Sequence, residues 1–589
     1  MKKKSHPRIL KVIAANVIVL LIIVISTLFF LEQYTERIAR SVLNTEFSKL
    51  ELSRVYHVDF DKVSLQILSG NIRIKNLQIN PKESFYTEPD SLKAHYPLLV
   101  DIVIPKLTIK GLNKNFILQF EILNIPFISA IRPEIRLIDH LTDAEKARSH
   151  KIRQEKVTLV ETSKWRSINV GQFVIDDGMF EWHDLTKNRS LFQTGSINYS
   201  GTQLEFLSEN IFGSLVKMLM ERSDFETGPV QYFTKNGFYE VAAGSLSKRI
   251  GVNKLQADHI KLIPQYDKME FGRRFGRQTD WIDLEVKSIE IDEPDIFKWL
   301  EDRTISVHEI RIEYPILHIF RDKNIARDMS IFPDLPHQLL SSIKSAVDIR
   351  KIQVRNASLV YEELEPGAND PGQVPAKNIY ATLYNVTNIP SSISAHGAMT
   401  WDIRADFFDQ AKLEVSFNFP ENLAEHRFAF AGKMDSMDMN AFNVILTPHA
   451  GIRIDQGYLR SIDFDVIAYE HFSEGEVTMY YEDLKLTVLR KSNPEGQRIF
   501  GLVTFLANAA IKGNNPEKES HMTAEPSPVF FERDKNKSIF NYMARSMISG
   551  IQNTIVPGTG MTREKYEKQQ NMKDIQPKNR TLQGRKARS

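Results

Sequence analysis

Cysteine is absent from all 589 residues of the sequence. This absence excludes disulfides, cysteine-ligated zinc, iron–sulfur clusters and thiol nucleophiles. An excess of charge of one sign is also lacking, because the formal net charge is only +2. The charge balance gives no bulk electrostatic reason to expect nucleic acid or an acidic substrate as a partner.

Catalytic motifs are missing as well. The sequence contains no Gly-x-Ser-x-Gly elbow, no phosphate-cradling glycine loop and no EF-hand loop. The pair His308-Glu309 lacks the second histidine, four residues on, that a zinc-binding helix needs. Asp176-Asp177-Gly178 is typical of a turn between strands rather than of an acid/base pair. The sequence therefore predicts no catalytic residue, no metal ligand and no cofactor, and we expect that the chain is not an enzyme.

One stretch is hydrophobic enough to cross a bilayer. Residues 12–31 include only Asn16, Ser26 and Thr27 as polar members, and a helix of this length spans about 30 Å, the thickness of the hydrocarbon core. Basic residues are more frequent before this run than after it, which keeps the N-terminus cytoplasmic. We predict a cytoplasmic basic segment at 1–11, an uncleaved transmembrane signal anchor at 12–31 and a connecting helix at 32–56. The alternative, a cleaved signal peptide, would need a shorter core and a small-x-small site.

Two-residue alternation dominates the rest of the chain and predicts strands with one apolar and one polar face. The expected fold is mostly β: an antiparallel or solenoidal sheet curled into a long groove, with a few short helices. Three strands show the alternation well, and their apolar residues are the predicted groove lining: Leu413, Val415, Phe417, Phe419, Ile282, Leu284, Val286, Leu484, Leu486 and Val488.

An internal repeat divides the β-rich region, which we place at residues 57–510. Pro133 and Pro315 lie 182 positions apart in similar strand sequences, and Asp177 and Asn356, in the strands that follow, lie 179 apart. Generic similarity between strand–turn–strand segments is the alternative. We predict repeat units at about 57–245 and 246–390 and a further β repeat at about 391–510. A loop and terminal segment at 511–556 and a basic disordered tail at 557–589 complete the chain.

Three passages resemble the AsmA-like family of envelope proteins of double-membraned bacteria, a group with TamB-like and YhdP-like members. They are the strand pair at 58–79, the proline-centred strand at 310–322 and the strand–glycine–strand segment at 451–491. The resemblance implies an inner-membrane anchor, a periplasmic β-groove and a role in moving lipids toward the outer membrane. It implies lipids, the inner membrane and other envelope proteins as partners, with phospholipid as the lipid class.

The physics of a one-sided sheet leads to a similar expectation. Its apolar face must be covered by another protein layer or by a ligand, and few helices are predicted to supply that layer. Acyl chains need apolar area more than specific polar contacts. A closed β-sandwich remains the structural alternative. The functional alternatives are a scaffold or assembly factor for outer-membrane proteins that acts through sheet edges and, less favoured, a membrane-anchored hydrolase.

The topology can be tested with a reporter enzyme that is active only outside the cytoplasm. Fused after Pro557, the reporter should be active, because the basic residues before residue 12 hold the N-terminus inside. The same reporter fused before residue 12 should be inactive. Activity of a cytoplasm-dependent reporter after Pro557 would contradict both the predicted topology and the family resemblance.

Overall fold

A computed structural model describes residues 51–66, 69–87, 98–112, 122–142, 167–207, 222–295, 304–489, 511–517, 523–557 and 561–568, with the single residues 93, 96, 145 and 298. The predicted anchor at 12–31 and residues 32–50 of the predicted connecting helix at 32–56 lie outside these ranges. Within them, no helix combines the length and the apolar character that crossing a membrane requires.

The predicted mostly β fold is confirmed. The strands in the described ranges are β1 (Tyr56–Asp59), β2 (Lys62–Gln66), β3 (Asn71–Pro81), β4 (Leu98–Lys110), β5 (Ile122–Ile131), β6 (Glu134–Asp139), β7 (Ser167–Asp184), β8 (Arg189–Leu207), β9 (Ser223–Glu226), β10 (Val230–Phe233), β11 (Tyr239–Ala243), β12 (Ser245–Lys248), β13 (Lys254–Pro264), β14 (Asp280–Asp292), β15 (Ile305–Glu313), β16 (Ile316–Asp322), β17 (Val347–Leu364), β18 (Gly372–Thr387), β19 (Thr400–Phe407), β20 (Ala411–Asn418), β21 (Arg427–Met434), β22 (Met437–Asp438), β23 (Ile452–Tyr469), β24 (Phe472–Val488) and β25 (Ser527–Glu532).

Helices are few among the same residues. The α-helices are α1 (Lys268–Phe275), α2 (Pro336–Ser342), α3 (Pro390–His396), α4 (Asn443–Ala450) and α5 (Ile539–Ile555), and short 3-10 helices lie at Glu51–Arg54, Glu83–Thr87 and Met439–Phe442. The chain divides into two compact units. The first comprises residues 1–265 and 288–302, and the second comprises 266–287 and 303–589.

The first unit encloses a packed hydrophobic core. In β3, Ile72 and Ile74 point into this core and are followed by Leu77 and Ile79. The spacing changes between the two pairs because Asn76 has a φ of 50°, a left-handed conformation that asparagine tolerates better than most residues. Phe85, in the 3-10 helix that follows β3, is fully buried against these strands. This part of the sheet therefore covers its apolar face with its own chain.

The first unit contains parallel as well as antiparallel pairing, whereas the sequence predicts an antiparallel or solenoidal sheet. The two short strands β5 and β6 are separated by Arg132, with a φ of 49°, and Pro133. Both run parallel to the long strand β7. The backbone N–H of Arg132 donates to the carbonyl of Asp176 at 2.7 Å, and that of Met179 donates to the carbonyl of Pro133 at 2.8 Å. Between these two bonds, Asp177 has a φ of 55° and forms an irregularity in β7.

The second unit has the same arrangement at the residues that the repeat pairs. Tyr314, with a φ of 51°, and Pro315 separate β15 from β16, and both strands run parallel to β17. The N–H of Tyr314 donates to the carbonyl of Arg355 at 2.9 Å, and that of Ser358 donates to the carbonyl of Pro315 at 2.8 Å. Asn356, with a φ of 54°, lies between them. Proline breaks one strand into two in each unit, and the sheet is mixed because both pieces run parallel to a single long neighbour.

The segment at 511–556, predicted as a loop and terminal segment, contains β25 and the 17-residue helix α5. The hydroxyl of Ser538 caps the helix by accepting a hydrogen bond from the N–H of Asn541. Tyr542, Ser546 and Gly550 follow one another at four-residue spacing and are buried on one side of the helix. Small residues at two of these positions bring the helix axis close to the sheet.

Part of the predicted disordered tail contacts the strands β24 and β25. The ring of Tyr566 lies 6.0 Å from that of Phe472 and 5.3 Å from that of Phe530, centroid to centroid. The guanidinium of Arg563 lies 3.3 Å from the carboxylate of Glu474. Residues 561–568 are therefore held against β24 and β25, and the rest of the tail lies outside the described residues.

Replacing Gly550 by leucine should destabilise the second unit. Even a β-carbon at this position would lie 2.7 Å from Cγ2 of Val529 and 2.8 Å from Cγ2 of Val477. We expect the free energy of unfolding, measured by urea denaturation, to fall by about 1–3 kcal/mol, as overpacked cores do. Ala544→Leu, on the exposed side of the same helix, is the control and should leave this free energy nearly unchanged. An unchanged midpoint for Gly550→Leu would rule out the close packing of α5.

Candidate functional site

The second unit has an apolar strip on one face of its sheet. Directly opposed residues of paired strands share a face, and two rows of such residues cross seven strands, β15, β17–β21 and β23. One row consists of Ile310, Ile352, Leu383, Trp401, Phe417, Phe430 and Val466, and the other of Ile312, Val354, Ala381, Ile403, Val415, Gly432 and Phe464. We call these fourteen residues the apolar strip.

The opposite face of the same strands is mostly polar. The row between the two apolar rows consists of Arg311, Gln353, Thr382, Asp402, Ser416, Ala431 and Asp465. Charged and hydroxyl side chains can remain in water, whereas the apolar strip must be covered. The one-sided character predicted from alternation therefore extends across this part of the sheet.

Burial along the apolar strip changes from one end to the other. Phe430 and Val466, in β21 and β23, are only 1% and 0% exposed and belong to a large hydrophobic cluster. Ile310, Ile352 and Leu383, in β15, β17 and β18, are partly exposed and belong to no such cluster within the described ranges. One end of the strip is thus buried under protein, and the β15–β18 end is not.

Helix α5 forms part of the cover at the buried end. Gly550 approaches Val477, the β24 neighbour of Phe464 in the apolar strip. The hydroxyls of Ser546 and Ser473 lie 2.6 Å apart, and the Tyr542 hydroxyl donates to the carbonyl of Tyr469 at 3.0 Å. A second stripe of the helix, consisting of Ile539, Met543, Met547, Ile551 and Ile555, is partly buried against the same hydrophobic cluster.

Aromatic rings concentrate in the middle of the strip. The indole of Trp401 lies 5.6 Å from the ring of Phe417 and 4.7 Å from that of Phe419, and Phe417 lies 6.1 Å from Phe430. The indole N–H of Trp401 is buried and has no hydrogen-bond acceptor among the described residues. An unsatisfied donor in an apolar environment is costly, and the packing of the Trp401 ring against the cluster must offset that cost.

The predicted lining residues divide into three groups. Leu413, Val415, Phe417 and Phe419 lie in or directly after β20, and Phe417 and Phe419 are buried in the large cluster, 6% and 5% exposed. Ile282 and Leu284 in β14 oppose Ile319 and Leu317 in β16 and lie on the same face as the apolar strip, with Val286 next along the strand. Leu484 and Leu486 pack against the cluster of Phe417, whereas Val488 belongs to a separate small cluster around Ile452.

A charged row adjoins the apolar residues on this face. Asp280 in β14, Arg321 in β16 and Glu363 in β17 oppose one another in one row. Arg321 and Glu363 come two residues after Ile319 and Tyr361 along their strands. The guanidinium of Arg321 donates two hydrogen bonds of 2.6 Å to Asp280. The face therefore ends in ion pairs.

Glu363 belongs to a compact charged cluster with Lys323, Glu365 and His449. The ammonium of Lys323 lies 2.8 Å from Glu363 and 2.6 Å from Glu365, and Nε2 of His449 lies 2.9 Å and 3.4 Å from the same carboxylates. Burial alone would raise the pKa of Glu363, but the hydrogen bond from His449 and the charge of Lys323 outweigh it and lower the pKa to about 2.

The two carboxylates and the imidazole are residue types that ligate metal ions, and their ligand atoms lie within 4.8 Å of one another. Lys323 already lies between the carboxylates at hydrogen-bond distance. Its ammonium supplies the positive charge that a metal ion would otherwise bring. Arg545 also acts on both carboxylates through its charge, so two cations balance the two carboxylates without a metal ion. The cluster ties the segment after β16 and the helix α4 to the end of β17.

Two features of this site were not anticipated from the sequence. Trp401, Ile403, Ala405 and Phe407 alternate strictly with polar residues along β19, so the same criterion that identified β20 could have identified them. The charged cluster had no such signal, because His449 and Glu363 are 86 positions apart and only the fold brings them together.

Glu363→Gln should weaken the protein at neutral pH and alter its response to acid. The lowered pKa of Glu363 stabilises the fold above the ordinary value of 4.5, and this contribution is lost as the pH falls toward 2. At pH 7 we expect the variant to lose about 3 kcal/mol of unfolding free energy. The difference from wild type should narrow between pH 4.5 and 2.

The measurement is urea denaturation across this pH range. Glu414→Gln, at an exposed carboxylate on the polar face, is the control and should follow the wild-type curve. A constant difference between Glu363→Gln and wild type at all pH values would contradict the ion-pair role of Glu363.

No protein-family model matches the chain, and no curated protein matches it either.

Proposed function

We propose that the second unit binds lipids, with acyl chains lying on the uncovered part of the apolar strip. The observation that carries the proposal is the change in burial along one continuous apolar surface. The strip begins under protein at β21 and β23 and continues, still apolar, onto β15–β18, where no hydrophobic cluster of the described residues includes it. Apolar area of this kind favours a ligand or partner that removes it from water.

The chemistry of the strip suits an acyl chain with a polar end. Its fourteen residues include no charged side chain, so they offer area rather than specific polar recognition. The ion pair of Arg321 and Asp280 at the end of the same face provides polar surroundings in which a headgroup can remain hydrated. Phospholipid is the class that combines these features.

The predicted anchor and the family resemblance give this lipid binding a place in the cell. We propose a single-pass protein of the inner membrane with a cytoplasmic N-terminus and the bulk of its chain in the periplasm. There it would serve cell-envelope and outer-membrane biogenesis by binding or transferring lipids, without catalysis and without a cofactor. Its partners would be lipids, the inner membrane and other envelope proteins.

Ile352→Asp tests the lipid-binding face at its uncovered end. A carboxylate there would place a charge among acyl chains, which is unfavourable, while the partial exposure of Ile352 lets the charge reach water when no lipid is bound. We expect folded protein, by circular dichroism, that carries several-fold less co-purified lipid, by mass spectrometry of extracts. Gln353→Asp places the same charge one residue along, on the opposite face, and should retain its lipid.

Phe417→Asp extends the comparison to the covered end. Phe417 is buried against protein, so an unpaired charge there should destabilise the fold by about 4 kcal/mol rather than act on lipid alone. Undiminished lipid in folded Ile352→Asp protein would contradict the proposed binding face. A stoichiometric protein partner without lipid would favour the scaffold function instead.

A further inference from the structure

The polar face of the sheet in the second unit has a shallow depression that spans β20, β21, β23 and β24. Directly opposed residues of these strands form two short rows in it. One row consists of Glu414, Lys433, Asp463 and Thr478, and the other of Ser416, Ala431, Asp465 and Glu476. Four carboxylates and one ammonium give these eight residues a net charge of −3. We call them the acidic depression.

Three carboxylates of the acidic depression have no cation partner in the part of the chain that the structure describes. The ammonium of Lys433 lies 3.4 Å from the carboxylate of Glu414, which leaves Asp463, Asp465 and Glu476 without an ion pair there. All three side chains are exposed. Asp465 and Glu476 oppose each other directly, and like charges in this position repel. A cationic segment that lay across these residues would relieve the repulsion.

The neighbouring residues of β19 and β20 do not cancel this charge. Asp402 and Arg404 continue the two rows onto β19 and add one charge of each sign. Lys412, in β20, is directly opposed by Asp406. The acidic depression therefore keeps its net negative charge.

The described part of the basic tail is seated beside the acidic depression. The guanidinium of Arg563 lies 3.3 Å from the carboxylate of Glu474, and the ring of Tyr566 packs on β24 and β25. Glu474 precedes Glu476 by two residues in β24, so their side chains leave the same face about 7 Å apart. The chain therefore passes out of the described residues, at residue 568, close to the three unpaired carboxylates.

The rest of the tail carries the complementary charge. Residues 569–589 contain one acidic residue, Asp574, and six basic residues: Lys573, Lys578, Arg580, Arg585, Lys586 and Arg588. Twenty-one residues can extend over as much as about 70 Å, whereas the acidic depression crosses four strands, or roughly 15 Å. The tail is therefore long enough to reach every carboxylate of the acidic depression.

We propose that residues 569–589 bind the acidic depression of the same molecule. Their lysine and arginine side chains pair with Asp463, Asp465 and Glu476 and extend the contact that Arg563 makes. Each exposed ion pair is weak, but several form together, and the attachment at residues 561–568 keeps the tail at a high local concentration. The bound tail covers part of the polar face, so a cationic partner that used this face would have to displace it.

Carbodiimide cross-linking of the full-length chain in phosphatidylcholine nanodiscs tests the proposal, because this reagent joins a carboxylate directly to an amine in contact with it. Mass spectrometry should find links from Lys573, Lys578 or Lys586 to the three unpaired carboxylates. The link between Lys433 and Glu414 is the internal control, since their charged groups lie 3.4 Å apart. Formation of the control link without any link from the tail to the acidic depression would overturn the proposal.

Mixing isotopically light and heavy protein identifies the molecule that the tail binds. Links between peptides of the same isotope are expected, because the tail is attached beside its own acidic depression. Links that join a light peptide to a heavy one would place the tail on a second copy of the chain and would overturn the intramolecular binding.

Neutralising the three carboxylates should release the tail to proteolysis. The variant is Asp463→Asn with Asp465→Asn and Glu476→Gln. A bound segment must detach before it can enter a protease, so we expect trypsin to remove the tail of this triple variant about tenfold faster than that of wild type. Equal rates for the two proteins, both confirmed as folded by circular dichroism, would contradict the binding.

Asp370→Asn with Glu421→Gln and Glu517→Gln is the matched control. It removes the same charge at exposed carboxylates outside the acidic depression, and its tail should be cleaved at the wild-type rate. Equally fast cleavage of the control and the triple variant would show that only net charge matters and would overturn the proposal. The acidic depression lies on the face opposite the apolar strip, so these results do not depend on the proposed lipid binding.

Discussion

The need to cover one apolar face of a sheet governs this protein. Strict alternation makes each strand hydrophobic on one side only, and water must then be excluded from that side. The first unit meets the requirement with its own core around β3 and Phe85. The second unit meets it only at one end, where α5 contributes to the cover, and its apolar strip continues beyond that end. The proposed lipid takes the place of a missing protein layer.

Charge is arranged so that it does not disturb this face. The polar rows point to the opposite side, and the charges that do lie on the apolar side are gathered at its end and paired. In the cluster of Lys323, Glu363, Glu365 and His449, each carboxylate is within hydrogen-bond distance of a cation. Breaking such a buried group leaves an uncompensated charge, which is far more costly than the intact cluster is favourable. The cluster thus fixes where the apolar surface stops.

Alternation predicted individual strands well and their partners poorly. The residues Leu413, Val415 and Phe417 were assigned to one face from a pattern of period two, and they lie on one face because strand geometry enforces that period. Which strands pair, and in which direction, depends on contacts between distant residues. The parallel pairing of β5 and β6 with β7 is of this kind, and the spacing of Pro133 from Pro315 does not reveal its direction.

Burial was harder to anticipate than secondary structure. Phe417, predicted to line an open groove, lies in a packed cluster with Trp401, Phe419 and Phe430. The same cluster includes residues of α5, a helix in a segment predicted as a loop. The sequence of α5 shows the four-residue apolar spacing of a helix, in a chain otherwise dominated by the two-residue spacing of strands. The apolar residues are Ile539, Met543, Met547, Ile551 and Ile555. The charged cluster joins residues from three separate segments, and no local pattern encodes it.

The proline-broken strands also determine where the chain tolerates a change in length. The connection from β6 to β7 has 27 residues and that from β16 to β17 has 24, yet the backbone hydrogen bonds on either side of the two prolines are equivalent. Pairing of both short strands with one long strand fixes the register on either side of the connection, so a difference of three residues in its length leaves the pairing unchanged. The connection from β16 to β17 also carries α2 and the buried Leu335 and Leu340, so an inserted tag or probe should leave strand alignment intact only where it avoids these residues.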